Sequence, residues 1–561
     1  MAGRNFHSGH EAPGAVMRKR IVLAGALFVV AFAVIGGRMV QLMGIRGGSD
    51  PAAIIGVRPP APEVMRADIV DRDGRQLATD LAVATLYADA ADVWDAAEAV
   101  RALQGIFPEI DGTSLEARLA AGRGRILIKR DLSPRQQAAV QQLGLAGLSF
   151  DTEMRRVYPN GTAAAHVLGY VGTDNHGLAG VERRFDETMT AAGADAVALA
   201  IDLRVQHVLD DELAKAMAEF RAVGAAGIVM DVHTGEVIAM SSLPAFDPND
   251  FGAAPAEVRR SRATSDVFEM GSTFKIFNTA MALDSGLVSL DDRFDARNPI
   301  ISGGFRIRDF HAQARVMNVA EIFEHSSNIG SAHMAMVVGG ERQRAFLGSL
   351  GLLEPTRLEL PENARPIVPG EWSDLTVMTI SYGHGISVSP LQVASAVSAM
   401  ANGGFFVEPT LLRRAPGSEL PRRRVISDDT SAEMLRLMRL VVAKGTGRQA
   451  DVEGYPVAGK TGTAEKPVNG RYDRDALISS FVGVFPSDEP EYLVFVLLDE
   501  PKPTPQTYGY ATAGWTAAPT TAHIVARIGP LLGIAPRLAP REDDERADSG
   551  GSNLAQAGED R

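Results

Sequence analysis

Lysine is rare in this chain. Eight lysines stand against 48 arginines in 561 residues, and just one of the eight has a serine three residues before it. The pair is Ser272 and Lys275, in Glu269-Met270-Gly271-Ser272-Thr273-Phe274-Lys275. The residue type matters chemically: arginine stays protonated in any protein, whereas a desolvated lysine can shed its proton and accept one from a hydroxyl. The pair therefore reads as a serine nucleophile activated by an amine. Two further motifs follow, each present once: Ser326-Ser327-Asn328, and Lys460-Thr461-Gly462 continued by Thr463. Singly each is a weak signal, but all three in this order, with a glycine before Ser272 and another before Lys460, make a strong one.

The elements that must position these residues can be read from periodicity. Gly227 to Asp231 and Glu236 to Ser241 form a hairpin pattern around the His233-Thr234-Gly235 turn. Ser272 falls at the start of a helix over 273–284, where residues i and i+3 share a face. The positive end of that helix would favour developing negative charge at the hydroxyl. Residues 319–400 are mostly helical in pattern. Tyr455 to Thr463, Leu477 to Phe485 and Tyr492 to Leu498 read as three strands, and Thr520 to Leu532 as a closing helix. Two early strands, a helical middle and three late strands predict one antiparallel sheet assembled from both ends of the domain, an α+β fold.

Bulk properties narrow the function. A net charge of −13 argues against a nucleic-acid partner, which needs a basic face. Absence of cysteine removes disulfides and thiolate sites, and no metal-ligand spacing is found among the eleven histidines, so neither a metal nor another cofactor is expected. Ile21 to Gly37 is a charge-free run flanked by Arg18-Lys19-Arg20 and Arg38. It reads as an uncleaved inner-membrane anchor over 21–42, with residues 1–20 in the cytoplasm and the catalytic part in the periplasm. A Gly/Pro-rich linker over 43–63, a mixed α/β region over 64–195, a main domain over 196–535 and a polar tail over 536–561 complete the division. In the 64–195 region, Arg66, Arg156 and Glu182 read as charges joining segments.

The three motifs, together with Phe246-Asp247-Pro248-Asn249, Tyr382-Gly383-His384-Gly385, Asn402-Gly403-Gly404, the Gly445-Thr446-Gly447 stretch and Gly470-Arg471-Tyr472, resemble those of the class B penicillin-binding proteins, most nearly the cell-division type. The likeness runs from the anchor to about residue 535. It implies a non-catalytic pedestal of dimerisation type before a transpeptidase domain with a serine β-lactamase-like fold and a helical subdomain. It also implies a peptidoglycan D,D-transpeptidase at the division septum. Ser272 would attack the penultimate D-Ala of a stem peptide, Lys275 would take its proton, Ser326 would relay a proton, and Asn328 would hold Lys275 and the substrate amide. Lys460 would supply positive charge, Thr461, Gly462 and Thr463 would bind the terminal carboxylate, and the Ser272 and Thr463 N–H groups would form the oxyanion hole. Implied partners are stem peptides ending in D-Ala-D-Ala, β-lactam antibiotics, a membrane-embedded SEDS-family glycan polymerase and other divisome proteins.

Three other readings fit the residues less well. An elongation-specific relative shares the motifs but not the Gly470-Arg471-Tyr472 insertion. A serine β-lactamase needs a second base for water attack, and the Glu-x-x-Leu-Asn segment that would carry it is absent between Ser326 and Lys460. A non-catalytic scaffold would have no use for intact serines and lysines. His384 reads as a turn residue without a catalytic role, and Trp372 and Tyr382 as core or as site lining.

Overall fold

The computed structural model describes residues 26, 29–34, 65–415, 417–468 and 471–537. Most of the expected span over 21–42, the whole of 1–20 and 43–63, Gly470, and the tail beyond residue 537 lie outside them. Among the described residues no helix is long and apolar enough to cross a membrane.

The chain from 65 falls into two compact units, one made of Ala82–Arg155 and the other of the remainder. In the first, the helices Ala96–Ile106, Gly112–Ala120 and Pro134–Gln142 pack Leu103, Phe107, Leu115, Leu119 and Val140 against Leu86, Ile126 and Phe150 of the strands. Each helix starts where the sequence supplies a cap. Asp95 accepts from the Glu98 N–H, Asp111 accepts from the Ser114 N–H, and Ser133 forms a reciprocal capping box with Gln136.

The second unit is built on a five-stranded antiparallel sheet. Its spatial order is Ala458–Val468, Arg471–Phe485, Tyr492–Asp499, Gly224–Asp231, Val237–Leu243. The central strand Tyr492–Asp499 explains why the sheet is covered on both faces: every residue from Leu493 to Asp499 is buried. Period-two alternation sends Leu493, Phe495 and Leu497 into one cluster and Val494, Val496 and Leu498 into the other. The first cluster is completed by the helices Lys275–Asp284, Pro390–Ala401 and Asp428–Ala443, the second by Leu203–Glu219 and Ala517–Leu531. Helix Pro390–Ala401 is buried along its whole length, as a helix apolar all round must be. A smaller cluster of Met281, Val288, Met317, Ile322, Ile329 and Met334 packs the helices Val319–Glu324 and Asn328–Val338 against the end of Lys275–Asp284.

Two sequence expectations shift. Ser272 does not stand at the head of an α-helix: it lies in a 3-10 turn, Gly271–Phe274, that precedes the helix Lys275–Asp284. The left-handed Gly271 and the tight turn are set by neighbouring strands, which periodicity cannot register. The first two of the three late strands also run further toward each other than expected, because pairing resumes beyond the bulge at Glu465/Lys466 and joins Lys466 to Asp473.

Residues 65–81 and 156 onward also share a buried ionic network. Arg66 Nε lies 2.6 Å from Glu182 Oε2 and Arg156 Nε 2.7 Å from Glu182 Oε1. Arg156 Nη1 reaches Asp80 Oδ1 at 3.2 Å, and the Arg66 N–H donates to Asp80 Oδ2 at 2.8 Å. All four side chains are fully shielded. Segments far apart in the chain are thus tied by charges too deep to be exchanged for water. Nearby, the side chain of Asn249 both accepts from the Tyr158 N–H and donates to its carbonyl, each at 3.0 Å. Removing one partner of such a network strands the others, so Glu182→Gln is expected to lower stability by about 3–5 kcal/mol. The urea midpoint checks this, and a loss below about 1 kcal/mol, the range of an exposed ion pair, would refute the network's role.

Candidate functional site

The nucleophile's position follows from two glycines. Gly271 has φ +54°, and a Cβ there would stand 2.5 Å from the Thr463 carbonyl oxygen. A Cβ on Gly462 would stand 2.6 Å from the Met270 carbonyl and 2.7 Å from Thr273 Cγ2. Only without those carbons can the Ser272 turn lie flat on the edge strand Ala458–Val468. Thr273 Oγ1 closes the turn by donating to the Met270 carbonyl at 2.9 Å. Phe274 and Phe277, edge to face at 5.3 Å and both buried, fix the helix's rotation. Lys275, the first residue of that helix, then points its amine at the serine, with Nζ 2.7 Å from Ser272 Oγ.

Lys275 is wholly buried, and the partners of its amine decide what it can do. Nζ donates to the Ser326 carbonyl at 2.9 Å and to Asn328 Oδ1 at 2.7 Å. A neutral amine has two N–H donors and one lone pair. Two carbonyl oxygens use both donors, which leaves the lone pair for the Ser272 hydroxyl. The Asn328 amide is oriented for this, because its Nδ2 donates to the Arg308 carbonyl at 3.0 Å. The carbonyl of Ser326 reaches the amine because Ser326 adopts φ +59°, a left-handed conformation that costs a non-glycine residue roughly 1–3 kcal/mol.

Asp309 stabilises that arrangement, and no motif points to it. Its carboxylate accepts from Ser327 Oγ at 2.8 Å, from the Asn328 N–H at 2.6 Å and from the Ile329 N–H at 3.0 Å. Ser327 in turn caps the helix Asn328–Val338 by accepting from the Gly330 N–H. Asp309 stands 18 to 20 positions upstream of its partners in an irregular segment, so no local pattern could reveal it.

From the edge strand, Lys460 Nζ donates to Ser326 Oγ at 3.0 Å, and Lys275 Nζ lies 3.1 Å from the same oxygen. One hydroxyl therefore bridges two amines. Burial pushes Lys460 down to about 7. Burial, followed by the like charge of Lys460, holds Lys275 far below the ordinary lysine range, against the opposing pull of Asp309. Further along the strand, Thr461 Oγ1 pairs with Thr446 Oγ1 at 2.7 Å. Thr463 Oγ1 accepts from the Ala513 N–H at 3.2 Å, which leaves its own O–H to donate elsewhere. Thr446, from the Gly445-Thr446-Gly447 stretch, thus has a supporting contact, and Ala513 is a support outside the quoted motifs. The eight expected site residues converge: Ser272, Lys275, Ser326, Asn328 and Lys460 through direct contacts, and Thr461, Gly462 and Thr463 along the strand against which the Ser272 turn lies. Trp372 stands apart, its Nε1 donating to Gln343 Oε1 at 2.9 Å beside the core.

A hydroxyl with a desolvated amine at hydrogen-bond distance, a second amine to focus positive charge and a strand of hydroxyls beside them make an acyl-transfer site. Comparison with known proteins agrees. Residues 225–524 match the penicillin binding protein transpeptidase domain, and residues 62–192 the penicillin-binding protein dimerisation domain. The chain is 44% identical over 484 residues to the probable peptidoglycan D,D-transpeptidase FtsI of Caulobacter vibrioides, an alignment covering 84% of this chain and 82% of that one. It is 30% identical over 506 residues to the peptidoglycan D,D-transpeptidase FtsI of Escherichia coli, covering 84% of each. Among solved structures, penicillin binding protein 3 of Mycobacterium tuberculosis complexed with aztreonam is similar with a TM-score of 0.67 and 26% identity, over 85% of this chain and 98% of that one. With both domains in this order and this identity over most of its length, the chain belongs to the class B penicillin-binding proteins.

Proposed function

We propose that this protein is a peptidoglycan D,D-transpeptidase that cross-links stem peptides at the division septum through an acyl-enzyme on Ser272. The observation that carries the reading is the Lys275 amine, buried, 2.7 Å from Ser272 Oγ and with two carbonyl oxygens to receive its N–H groups.

In the first half-reaction Lys275 takes the Ser272 proton as Oγ attacks the carbonyl of the penultimate D-Ala. The oxyanion forms against the N–H groups of Ser272 and Thr463, fixed donors whose orientation costs nothing at the moment of reaction. Lys460 and the hydroxyls of Thr461 and Thr463 hold the terminal carboxylate, with Gly462 letting the strand approach the turn. As the C–N bond breaks, the proton passes from Lys275 through the Ser326 hydroxyl to the leaving amine, and D-Ala departs. In the second half-reaction the amine of a neighbouring stem attacks the ester, its proton follows the same path in reverse, and Ser272 is restored as the cross-link forms. A β-lactam enters as a mimic of the donor, but its ring-opened amine stays attached and blocks the acceptor.

The match of residues 62–192 to a dimerisation domain supports a non-catalytic pedestal over 64–195 ahead of a catalytic domain over 196–535. The charge-free run Ile21 to Gly37, with its basic flanks, supports a single-pass anchor over 21–42 in the inner membrane, with the catalytic domain in the periplasm. A protein so placed would work beside a SEDS-family polymerase that makes the glycan strands, and beside other divisome proteins.

Fluorescent penicillin is expected to label the purified protein covalently, and Ser272→Ala to abolish labelling while retaining the wild-type melting temperature. Label persisting on another residue of the folded variant would refute the nucleophile. Lys275→Arg keeps charge but cannot serve as a base, so acylation should slow by about 10²–10⁴-fold; normal acylation would remove the general base. The pH profile tests the second lysine. As pH rises through about 7, Lys460 loses its proton and its hold on a carboxylate, so the second-order acylation rate should decline on the alkaline side. Lys460→Arg should flatten that decline, and a wild-type profile level from neutral to alkaline pH would contradict the assignment.

A further inference from the structure

Glu269 lies three residues before the nucleophile and has no part in the mechanism above. Its carboxylate is nearly shielded and accepts from several segments at once. The Gly385 N–H donates to Oε1 at 2.9 Å, His384 Nδ1 lies 3.1 Å from Oε2, and the Tyr472 hydroxyl reaches the two oxygens at 3.0 and 3.1 Å. An ionised carboxylate can only accept, so the proton on His384 is on Nδ1. Burial alone would raise the carboxyl's pKa, but the His384, Gly385 and Tyr472 donors hold it below the ordinary range. The three rings form a row, with Tyr382 and His384 at 5.4 Å and His384 and Tyr472 at 5.8 Å.

These donors belong to the two bodies that must meet for acyl transfer. His384 and Gly385 lie in the turn whose Gly383 carbonyl accepts from the Gly271 N–H at 3.3 Å. Gly383 packs so closely that a Cβ on it would stand 2.2 Å from the Gly271 carbonyl. Tyr472 pairs with Pro467 in the far part of the hairpin whose near part carries Lys460 to Thr463. Glu269 is therefore bonded at once to the turn that backs Gly271–Ser272 and to the hairpin that bears Thr463. The Ser272 turn lacks a side-chain cap of its own, so its orientation has to come from such outside contacts.

We propose that Glu269 is a positioning residue for acyl transfer. Through Tyr472 and His384 it locks the Ser272 turn to the Thr463 hairpin, so that the two oxyanion-hole N–H groups converge. This rests on the transpeptidase reading above. A clamp of this kind acts on the transition state, because small misplacement of fixed donors costs rate far more than it costs ground-state binding.

The test separates the acylation rate constant from the dissociation constant of the preceding noncovalent complex, using fluorescent penicillin under single-turnover conditions. Glu269→Ala is expected to lower the rate constant by roughly 10- to 100-fold, with the dissociation constant within about twofold of wild type and the melting temperature unchanged. Tyr472→Phe should lower it less, and the double variant should be no slower than Glu269→Ala, since both remove the same link. Glu269→Gln should retain most of the rate, because its amide oxygen still accepts from Gly385 and Tyr472. The proposal is overturned if Glu269→Ala and Tyr472→Phe acylate at the wild-type rate, if the loss lies in the dissociation constant alone, or if the two effects multiply. Should Glu269→Ala not fold, Tyr472→Phe and His384→Ala carry the same comparison. Failure of the wild-type protein to label at Ser272 would instead sink the transpeptidase reading, independently of the clamp.

Discussion

Two lysine amines buried around one serine hydroxyl are the constraint on which the rest of this site depends. Lys275 and Lys460 both lie at 0% exposure, and both approach Ser326 Oγ within hydrogen-bond distance. Two ammonium ions at that separation without water are strongly disfavoured, so the pair is driven to hold fewer than two protons. That shortage makes a base out of a side chain that is normally an acid at neutral pH. The free energy comes from the fold: the sheet, the helices over it and the helical subdomain keep water out, and their packing must outweigh the cost of burying polar groups.

The supports around the amines share one feature, the use of shape where a longer side chain would fail. Gly271 and Gly462 let two backbones meet with no atoms between them, while Ser326 is held in a left-handed conformation so that its carbonyl, as well as its hydroxyl, faces Lys275. Such strain persists only when the surroundings over-determine it. Asp309 does so from one side, by accepting from Ser327, Asn328 and Ile329, and the helices before and after Ser326 do so from the other. The site is thus assembled from pieces that would each relax elsewhere if left alone.

Remote parts of the molecule repeat the logic with charges. The network of Arg66, Asp80, Arg156 and Glu182 is as shielded as the lysines but sets opposite charges against one another, so it joins segments instead of tuning a proton. The contrast between opposite charges paired in one place and like charges crowded in another separates the structural cluster from the chemical one. The residue types fit this division: the paired cluster uses arginine, which keeps its charge, and the crowded one uses lysine, which can give up a proton.

Much of this was legible in the residues themselves. The S-x-x-K spacing marks a hydroxyl and an amine about one turn apart, and the unbroken apolar run Leu493–Leu498 calls for cover on both faces of its strand. Contacts made across the fold were not legible. Asp309, Thr446, Ala513 and Glu269 belong to irregular or distant segments, and their roles arise only when other strands and turns are brought against them. His384, a turn residue by its glycine neighbours, acquires a carboxylate partner only in three dimensions. The sequence by itself determined which groups can react and which local elements carry them, because propensity, periodicity and short spacings are properties of neighbours along the chain. The tertiary structure alone decided how far burial draws the two lysines from their ordinary range and how the serine turn meets the edge strand, because desolvation and close approach depend on atoms that lie far away in sequence.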